Sequence, residues 1–446
     1  MSAIPFLGHR EPFGIVAWRG DRALHVNEFL AEAAAVAAVL PDRRFLVNLC
    51  EDRFRFAVGL AAALMREQVS LLPPTHAPEL LRLLKTQYSG LYALCDGGVR
   101  TEALETVAYP TVFGGCAATM PVFPASLDAV IAFTSGSTGE PTAHPKSWGR
   151  LALGAAHEAQ CLGLAGANPV ALVGTVPPQH MYGLESTVLM ALRNGLAFNA
   201  VRPFYPADIR AALEQVPEQR VLVTTPVHLR ALLAEERSLP RLRFILCATA
   251  PLAIEMATEA EVRYDTPVHE IFGFTEAGMV ATRRTTQGTR WHALPGVRLW
   301  RDREGIRVGG GHIQSEVAFT DLVELEDAHT FVLQGRRSDL VNIAGKRSSI
   351  AYLNQQLLAI EGVEDGVFFL PDAPPEGVTR LMAFVVAPRL AREALMCALR
   401  ARIDPAFLPR PLCYVDALPR ADTGKLAREA LIELAQTTTH KRGASA

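Results

Sequence analysis

Thr134-Ser135-Gly136-Ser137-Thr138-Gly139 places two glycines and four hydroxyl side chains in six consecutive positions. Glycine lets backbone N–H groups turn inward at close range and the hydroxyls add donors, so the stretch suits a loop that wraps phosphate oxygens. Ordinary turns share this composition. A Walker loop is excluded, because Gly-x4-Gly-Lys-Ser/Thr is absent and Thr142 follows Pro141, and the dinucleotide pattern Gly-x-Gly-x-x-Gly fails too.

Other stretches also carry chemistry. His180, in Pro-Pro-Gln-His-Met-Tyr-Gly183, can line a substrate pocket or orient a carboxylate; its competing reading is a packed or capping side chain. Glu276 follows Thr275 and Ile271-Phe-Gly-Phe274. A carboxylate beside a phosphate loop can share Mg²⁺ with a nucleotide, or it can simply start a helix. Asp321 can accept hydrogen bonds from both hydroxyls of a ribose, or close a turn. The segment from Gly335 to Arg347 is dense in donors, and Arg336 offers a bidentate fork to sugar or phosphate unless the stretch is a solvated basic turn. Lys425 ends Leu418-Pro-Arg-Ala-Asp-Thr-Gly-Lys. An ammonium on a flexible stem suits an anion that forms transiently, though most C-terminal lysines are merely exposed.

The elements that must position these residues alternate. Apolar strand-like runs at 44–50, 68–72, 91–95, 129–133, 170–176, 196–201, 220–224, 243–247 and 267–272 are separated by helical spacings at 27–40, 53–66, 78–88, 148–163, 183–194, 207–216, 227–234 and 252–263. Continuous apolar strands between helices imply parallel sheets covered on both faces, with ligands at the carboxyl ends of the strands. The hydroxyl-glycine stretch, the His180 segment and Thr275-Glu276 each follow a strand, so one crevice can hold all three. Residues 280–335 are rich in Thr, Arg, Gly and short β-like pieces, which predicts a small antiparallel unit. From Ser338 a compact α+β pattern follows, and the polar tail from Thr437 is expected to fray.

At 446 residues, with 49% hydrophobic and 20% charged residues, the chain is expected to be soluble, with two or three domains. A net charge of −2 gives no bulk attraction to nucleic acid or anionic lipid. Seven scattered cysteines without a Cys-x-x-Cys pair predict reduced thiols in the cytoplasm and argue against zinc. No apolar run reaches membrane-spanning length, and no internal repeat stands out.

Taken together and in order, these stretches resemble the adenylate-forming superfamily of acyl- and aryl-CoA synthetases, peptide-synthetase adenylation domains and luciferases. The resemblance spans roughly residues 40 to 430. It implies an α/β fold: a large N-terminal domain (1–337) of mostly parallel sheets covered by helices plus a small β-barrel-like unit, and a smaller mobile α+β domain (338–446). It further implies that Thr134 to Gly139 embrace the ATP phosphates and that Glu276, with Thr134 or Thr275, holds Mg²⁺. Asp321 and Arg336 would bind ribose, with Asn342 and Arg347 in the same nucleotide-binding set. Ala250, Pro251, Phe272, Gly273 and Phe274 would flank adenine and the acyl pocket. The implied reaction joins a carboxylic acid to AMP with loss of pyrophosphate, Lys425 neutralising the developing charge. Transfer to a thiol of CoA or of an acyl carrier protein follows, as the small domain turns about Ser338 and brings Gly345-Lys346 over the site.

The chain departs from the family pattern at Thr142, where a lysine is common and Lys146 is a possible substitute, and at Ser338, where Asp or Lys is usual. Its N-terminal region is also short. His180, Tyr182, Gly183 and Phe274 resemble the pocket of aryl-acid-activating members, with an aromatic floor and a polar tip for a hydroxybenzoate- or cinnamate-like ring. Cys-Glu-Asp-Arg-Phe-Arg-Phe56 looks like synthetases of bacterial aryl polyene pathways. A fatty acyl-CoA synthetase and a silent nucleotide- or acyl-binding relative are the alternatives; a kinase is disfavoured by the missing Walker lysine.

Overall fold

Short apolar strands separated by helices are stable only when helices cover both faces of the sheet they build. This chain does so twice. The computed structural model describes residues 3–97, 101–111, 119–135, 141–167, 169–217, 219–319, 321–336, 340–343, 346–371, 381–421, 424 and 426–443. One sheet has six strands, in the order Pro141–Ser147, Asp128–Ser135, Val69–Leu72, Phe45–Asn48, Tyr92–Cys95 and Glu105–Ala108. All are parallel except the first, which pairs antiparallel with Asp128–Ser135.

The second sheet has eleven strands. Its parallel centre runs Val268–Phe274, Leu242–Cys247, Gln219–Thr224, Val170–Gly174, Ala197–Asn199 and Ile15–Arg19. Arg22–His25 closes one side, and Gly278–Arg284, Arg290–Ala293, Thr330–Arg336 and Asp321–Leu325 extend the other antiparallel. The expected antiparallel unit over 280–335 is thus divided. Four of its strands continue the large sheet, while Val297–Arg301, Ile306–Gly310 and Val317–Ala318 form a separate small one.

The largest hydrophobic core joins side chains of both sheets to helices Arg53–Met65 and Trp148–Cys161 and to the helical segment 181–193, so these elements lie between the sheets. Helices Pro206–Glu214, Pro226–Leu233 and Ile254–Tyr264 cover the other face of the large sheet, and Leu81 and Leu84 of Pro78–Gln87 cover that of the six-stranded one. Asp52 starts the Arg53–Met65 helix by accepting from the Arg55 N–H at 2.9 Å.

Arg53 ties the two sheets together. Its side chain is fully buried, and its guanidinium donates to the carbonyls of Gly174, Val176, Asn199 and Val201 at 2.8–3.0 Å. Gly174 and Asn199 end two parallel strands of the large sheet, and Val176 and Val201 follow two residues beyond them. The planar fork therefore pins one sheet's helix to the other sheet's carboxyl edge.

Beyond residue 340 a smaller unit has its own cores. Helices Ile350–Leu358 and Arg392–Arg402 pack on a sheet of Asp365–Phe369, Met382–Val386 and Leu412–Tyr414. Val341 already belongs to that core, while the expected hinge residue Ser338 lies outside the described residues. Two expectations need correction, and one strand answers to none. Residues 141–147, which precede the Trp148 helix, form a strand, because the hydroxyl-glycine stretch joins the two arms of a hairpin. The helix expected at 183–194 is interrupted by a π-helical turn, Leu184–Leu189. The helix Arg428–Gly443 runs through Thr437, where the polar tail was expected to begin to fray. No helix among the described residues is long and apolar enough to cross a membrane.

Candidate functional site

Neighbouring parallel strands all release their following loops at one edge of the sheet. That edge therefore receives Thr175 to His180 after Val170–Gly174, Thr225 after Gln219–Thr224, Thr249 to Pro251 after Leu242–Cys247, and Thr275-Glu276 after Val268–Phe274. Arg53 fixes the six-stranded sheet at the same edge. The Asp128–Ser135 hairpin contributes there too.

In that hairpin Thr134 lies opposite Thr142 and Ala132 opposite His144. Residues opposite each other share a face, so Thr134, Thr142, His144 and Lys146 point to one side. His144 Nε2 lies 2.9 Å from Thr134 Oγ1 and 3.9 Å from Glu276 Oε1. Burial holds the His144 imidazole below its ordinary pKa against the pull of Glu276, so the ring is neutral at neutral pH and the second contact is not an ion pair. The candidate metal residues Thr134 and Glu276 thus approach the same imidazole from two hairpins. Glu276 sits on the turn between Val268–Phe274 and Gly278–Arg284, not at a helix start, and its side chain is 37% exposed.

The donors fit Mg²⁺ shared with a nucleotide. They are one accessible carboxylate and a neighbouring hydroxyl, hard oxygens of the kind Mg²⁺ takes alongside phosphates and water. No group of three His, Cys, Asp or Glu among the described residues can cage an ion alone. Gly136, Ser137, Thr138 and Gly139, and the side chain of Ser135, lie outside the described residues. Lys146, weighed as a substitute phosphate ligand, is 4% exposed and donates from Nζ to the Glu276 carbonyl at 2.5 Å.

His180 caps the short helix Met181–Gly183, its Nδ1 accepting from the Tyr182 N–H at 3.2 Å, which leaves the ring proton on Nε2. Tyr182 is buried. Its hydroxyl faces the carbonyls of Thr224 and Leu246, at 3.1 and 2.9 Å. The polar tip expected to meet a substrate ring is therefore committed to the sheet. Gly183 is dictated by contact, since a Cβ there would lie 2.0 Å from the Pro177 carbonyl oxygen.

Thr249 adopts φ +80°, an uncommon conformation for a β-branched residue, and leads into Ala250 and Pro251. Glu270 anchors this loop by accepting the Leu252 N–H at 3.2 Å, while Arg283 and Thr285 hold its other oxygen. Phe272 and Phe274 share a strand face. Phe272 stacks on Phe319 at 5.5 Å and meets Trp291 and Phe331 edge-on, and Phe274 meets Phe319 edge-on at 5.7 Å. Gly273, on the opposite face, is exposed.

Asp321 and Arg336 are direct cross-strand partners, and so are Asn342 and Arg347. Asp321 is 9% exposed. The side chains of Arg336, Asn342 and Arg347 lie outside the described set, as does all of Lys425. Its neighbour Gly424 is described and packs against the start of the Pro226–Leu233 helix, where an added Cβ would lie 3.2 Å from Val227 Cγ2 and 3.5 Å from Thr225 Oγ1. Asp365 joins the two parts of the chain, bonding Arg420 at 2.7 Å and approaching Arg230 at 3.7 Å. Gly424 thus rests against the same carboxyl edge.

Sequence reasoning missed His144 and a buried polar layer. Glu158 and Glu185 are buried among apolar helices, and burial pushes their carboxyls up to about 8 and about 7, the latter opposed by Lys146. Burial holds His312 down at about 4, with its ring 6.1 Å from that of His157. The available signal was a charged residue inside an apolar helical run, as in Leu184-Glu185-Ser186-Thr187-Val188.

The profile of a family described as AMP-binding enzyme matches residues 57–303. A 4-coumarate–CoA ligase of Rhodobacter capsulatus is 29% identical over 298 residues, covering 66% of this chain and 73% of that protein. Among solved structures, ATP-bound MatB from Rhodopseudomonas palustris superimposes with a TM-score of 0.79 at 20% identity, over 95% of this chain and 96% of that one. O-succinylbenzoate coenzyme A synthetase (MenE) from Bacillus subtilis, in complex with ATP and magnesium ion, gives 0.78 at 19% identity, over 94% and 96%.

Proposed function

Since the chain belongs to the AMP-binding enzyme family, we propose that it is an AMP-forming acid–thiol ligase. The observation that carries this reading is the convergence of Thr134 and Glu276 on His144 at the carboxyl edge of the parallel sheet. A substrate carboxylate oxygen attacks the α-phosphorus of ATP, the bond to the β-phosphate bridge breaks, and pyrophosphate leaves. A thiol sulfur then attacks the acyl carbonyl, AMP departs, and the thiol proton passes to solvent. Glu276, with Thr134 or Thr275, would hold Mg²⁺, which supplies charge neutralisation on the phosphate oxygens. Asp321 and Arg336 orient the ribose from facing strands, and Asn342 and Arg347 face each other on the hairpin that follows. Lys425 faces the charge developing between carboxylate and α-phosphate. Its domain, 338–446, pivots near Ser338 between the two half-reactions.

An aromatic acid of hydroxybenzoate or cinnamate type is the proposed substrate. His180 at the carboxyl edge and the aromatic group around Phe274 support it, as does the likeness to a protein named 4-coumarate–CoA ligase. Tyr182 contributes packing to that pocket, since its hydroxyl is already bonded. CoA and a carrier protein of an aryl polyene type pathway end in the same phosphopantetheine arm, so either can be the acceptor.

Pyrophosphate exchange with aromatic, medium-chain and amino acids tests the reading. Exchange is expected only with a suitable acid, aromatic ones foremost. Silence across the panel with ATP and Mg²⁺ refutes the ligase and leaves a silent nucleotide-binding homologue. Lys425→Ala is expected to abolish exchange while sparing thioester formation from supplied acyl-adenylate; equal loss in both halves refutes its role.

A further inference from the structure

The polar layer beneath the Glu276 turn takes no part in the reaction as written, yet it is built around that turn. Lys146 and Glu185 are each 4% exposed. Lys146 gives one of its protons to the main-chain carbonyl of Glu276. Glu185 projects from the π-helical turn Leu184–Leu189, a geometry that widens a helix by one residue and recurs at functional positions. Its carboxyl meets the other end of the same turn, for a Cβ on Gly278 would lie 2.8 Å from Glu185 Oε1. Gly278 is also held at φ +82°. Lys146 shares its strand face with His144, which contacts Thr134 and faces the Glu276 carboxylate. The main chain of Glu276 is thus fixed, and its side chain faced, from the hairpin that carries the hydroxyl-glycine stretch.

We propose that Lys146 and Glu185 are two buried positioning residues that hold the Thr275–Gly278 turn from two sides, Lys146 from the Pro141–Ser147 strand, and so aim the Glu276 carboxylate at metal-bound triphosphate. This rests on the functional reading above. A carboxylate that binds Mg²⁺ through a single arm gains affinity only if its backbone is held in advance, and outer-sphere partners of this kind are worth about ten- to hundredfold in metal affinity. Buried polar residues of purely architectural value would instead affect every ligand of the cleft alike.

Calorimetric titration of ATP into the full chain, with no acid present, separates the two roles. Each variant is titrated once with excess Mg²⁺ and once in EDTA. Lys146→Met is expected to weaken the Mg²⁺–ATP complex about ten- to hundredfold and to leave metal-free ATP within about twofold of wild type. Lys146→Met/Glu185→Leu removes both polar groups, so no ionisable side chain is left buried alone. It is expected to unfold at the wild-type denaturant concentration and still to lack the gain from Mg²⁺. Equal weakening with and without Mg²⁺, or a wild-type gain in the double variant, overturns the inference. A wild-type protein whose ATP affinity ignores Mg²⁺ overturns the functional reading first, and this inference with it.

Discussion

Replacing Arg53 by methionine tests whether one side chain couples the two sheets. The thioether keeps most of the buried stem, so the change removes the guanidinium with little loss of apolar packing. Four hydrogen bonds to the carbonyls of Gly174, Val176, Asn199 and Val201 disappear. A buried acceptor left without its donor costs about 1–3 kcal/mol, which sums to about 4–12 kcal/mol. Against this stands the cost of keeping a charge out of water, several kcal/mol, which the variant no longer bears. The same burial drives the Arg53 pKa down to about 10, still high enough for full protonation at neutral pH. The expected net loss is about 3–5 kcal/mol, a large share of the ~5–15 kcal/mol that holds a domain folded.

Denaturant unfolding of the large domain measures that loss, and hydrogen–deuterium exchange locates it. Exchange is expected to rise first at 174–176 and 199–202, with pyrophosphate exchange falling because the His180 loop leaves the same edge. Arg53→Lys is expected to recover only part of the stability, since an ammonium cannot span four carbonyls from a planar fork. A loss below about 1 kcal/mol with unchanged exchange at those amides would falsify the coupling argument.

Gly183→Ala is expected to cost about 1–3 kcal/mol or more, because the added methyl meets the Pro177 carbonyl oxygen at 2.0 Å and the backbone must yield. Denaturation midpoints check this, and an unchanged midpoint shows that the Pro177 turn relaxes freely. Glu158→Gln probes pH dependence. A carboxyl raised to about 8 in the folded state stabilises the fold fully below its unfolded value near 4.5, and that contribution is lost as pH rises through about 8. The variant is therefore expected to match wild type in acid and to exceed it by up to about 5 kcal/mol above pH ~8. Parallel stability–pH curves for the two proteins refute it.

Much of the architecture was legible in the sequence, because strand and helix periodicities are local and a parallel sheet needs only apolar runs alternating with helices. The Val170–Gly174, Gln219–Thr224 and Leu242–Cys247 strands lie where such runs were expected. Motif order placed Thr134, His180 and Glu276 after strands, and a parallel sheet then sends the loops after its strands to one edge. The strand Pro141–Ser147 was hidden. Thr-Ala-His-Pro-Lys has little β character of its own and is held as a strand by its hairpin partner.

The residue types that can handle phosphate, metal and carboxylate are thus a property of the chain itself. What each does was decided only by tertiary contact. Tyr182 is an ordinary phenol until two strand ends take its hydroxyl. Lys146 is a plausible phosphate ligand until the Glu276 turn closes over it, and Arg53 is one more helix-start arginine until two sheets meet on its fork. Periodicity is set by neighbours a few residues away, whereas burial and partner are set by segments more than a hundred residues apart, as with Lys146 and Glu276.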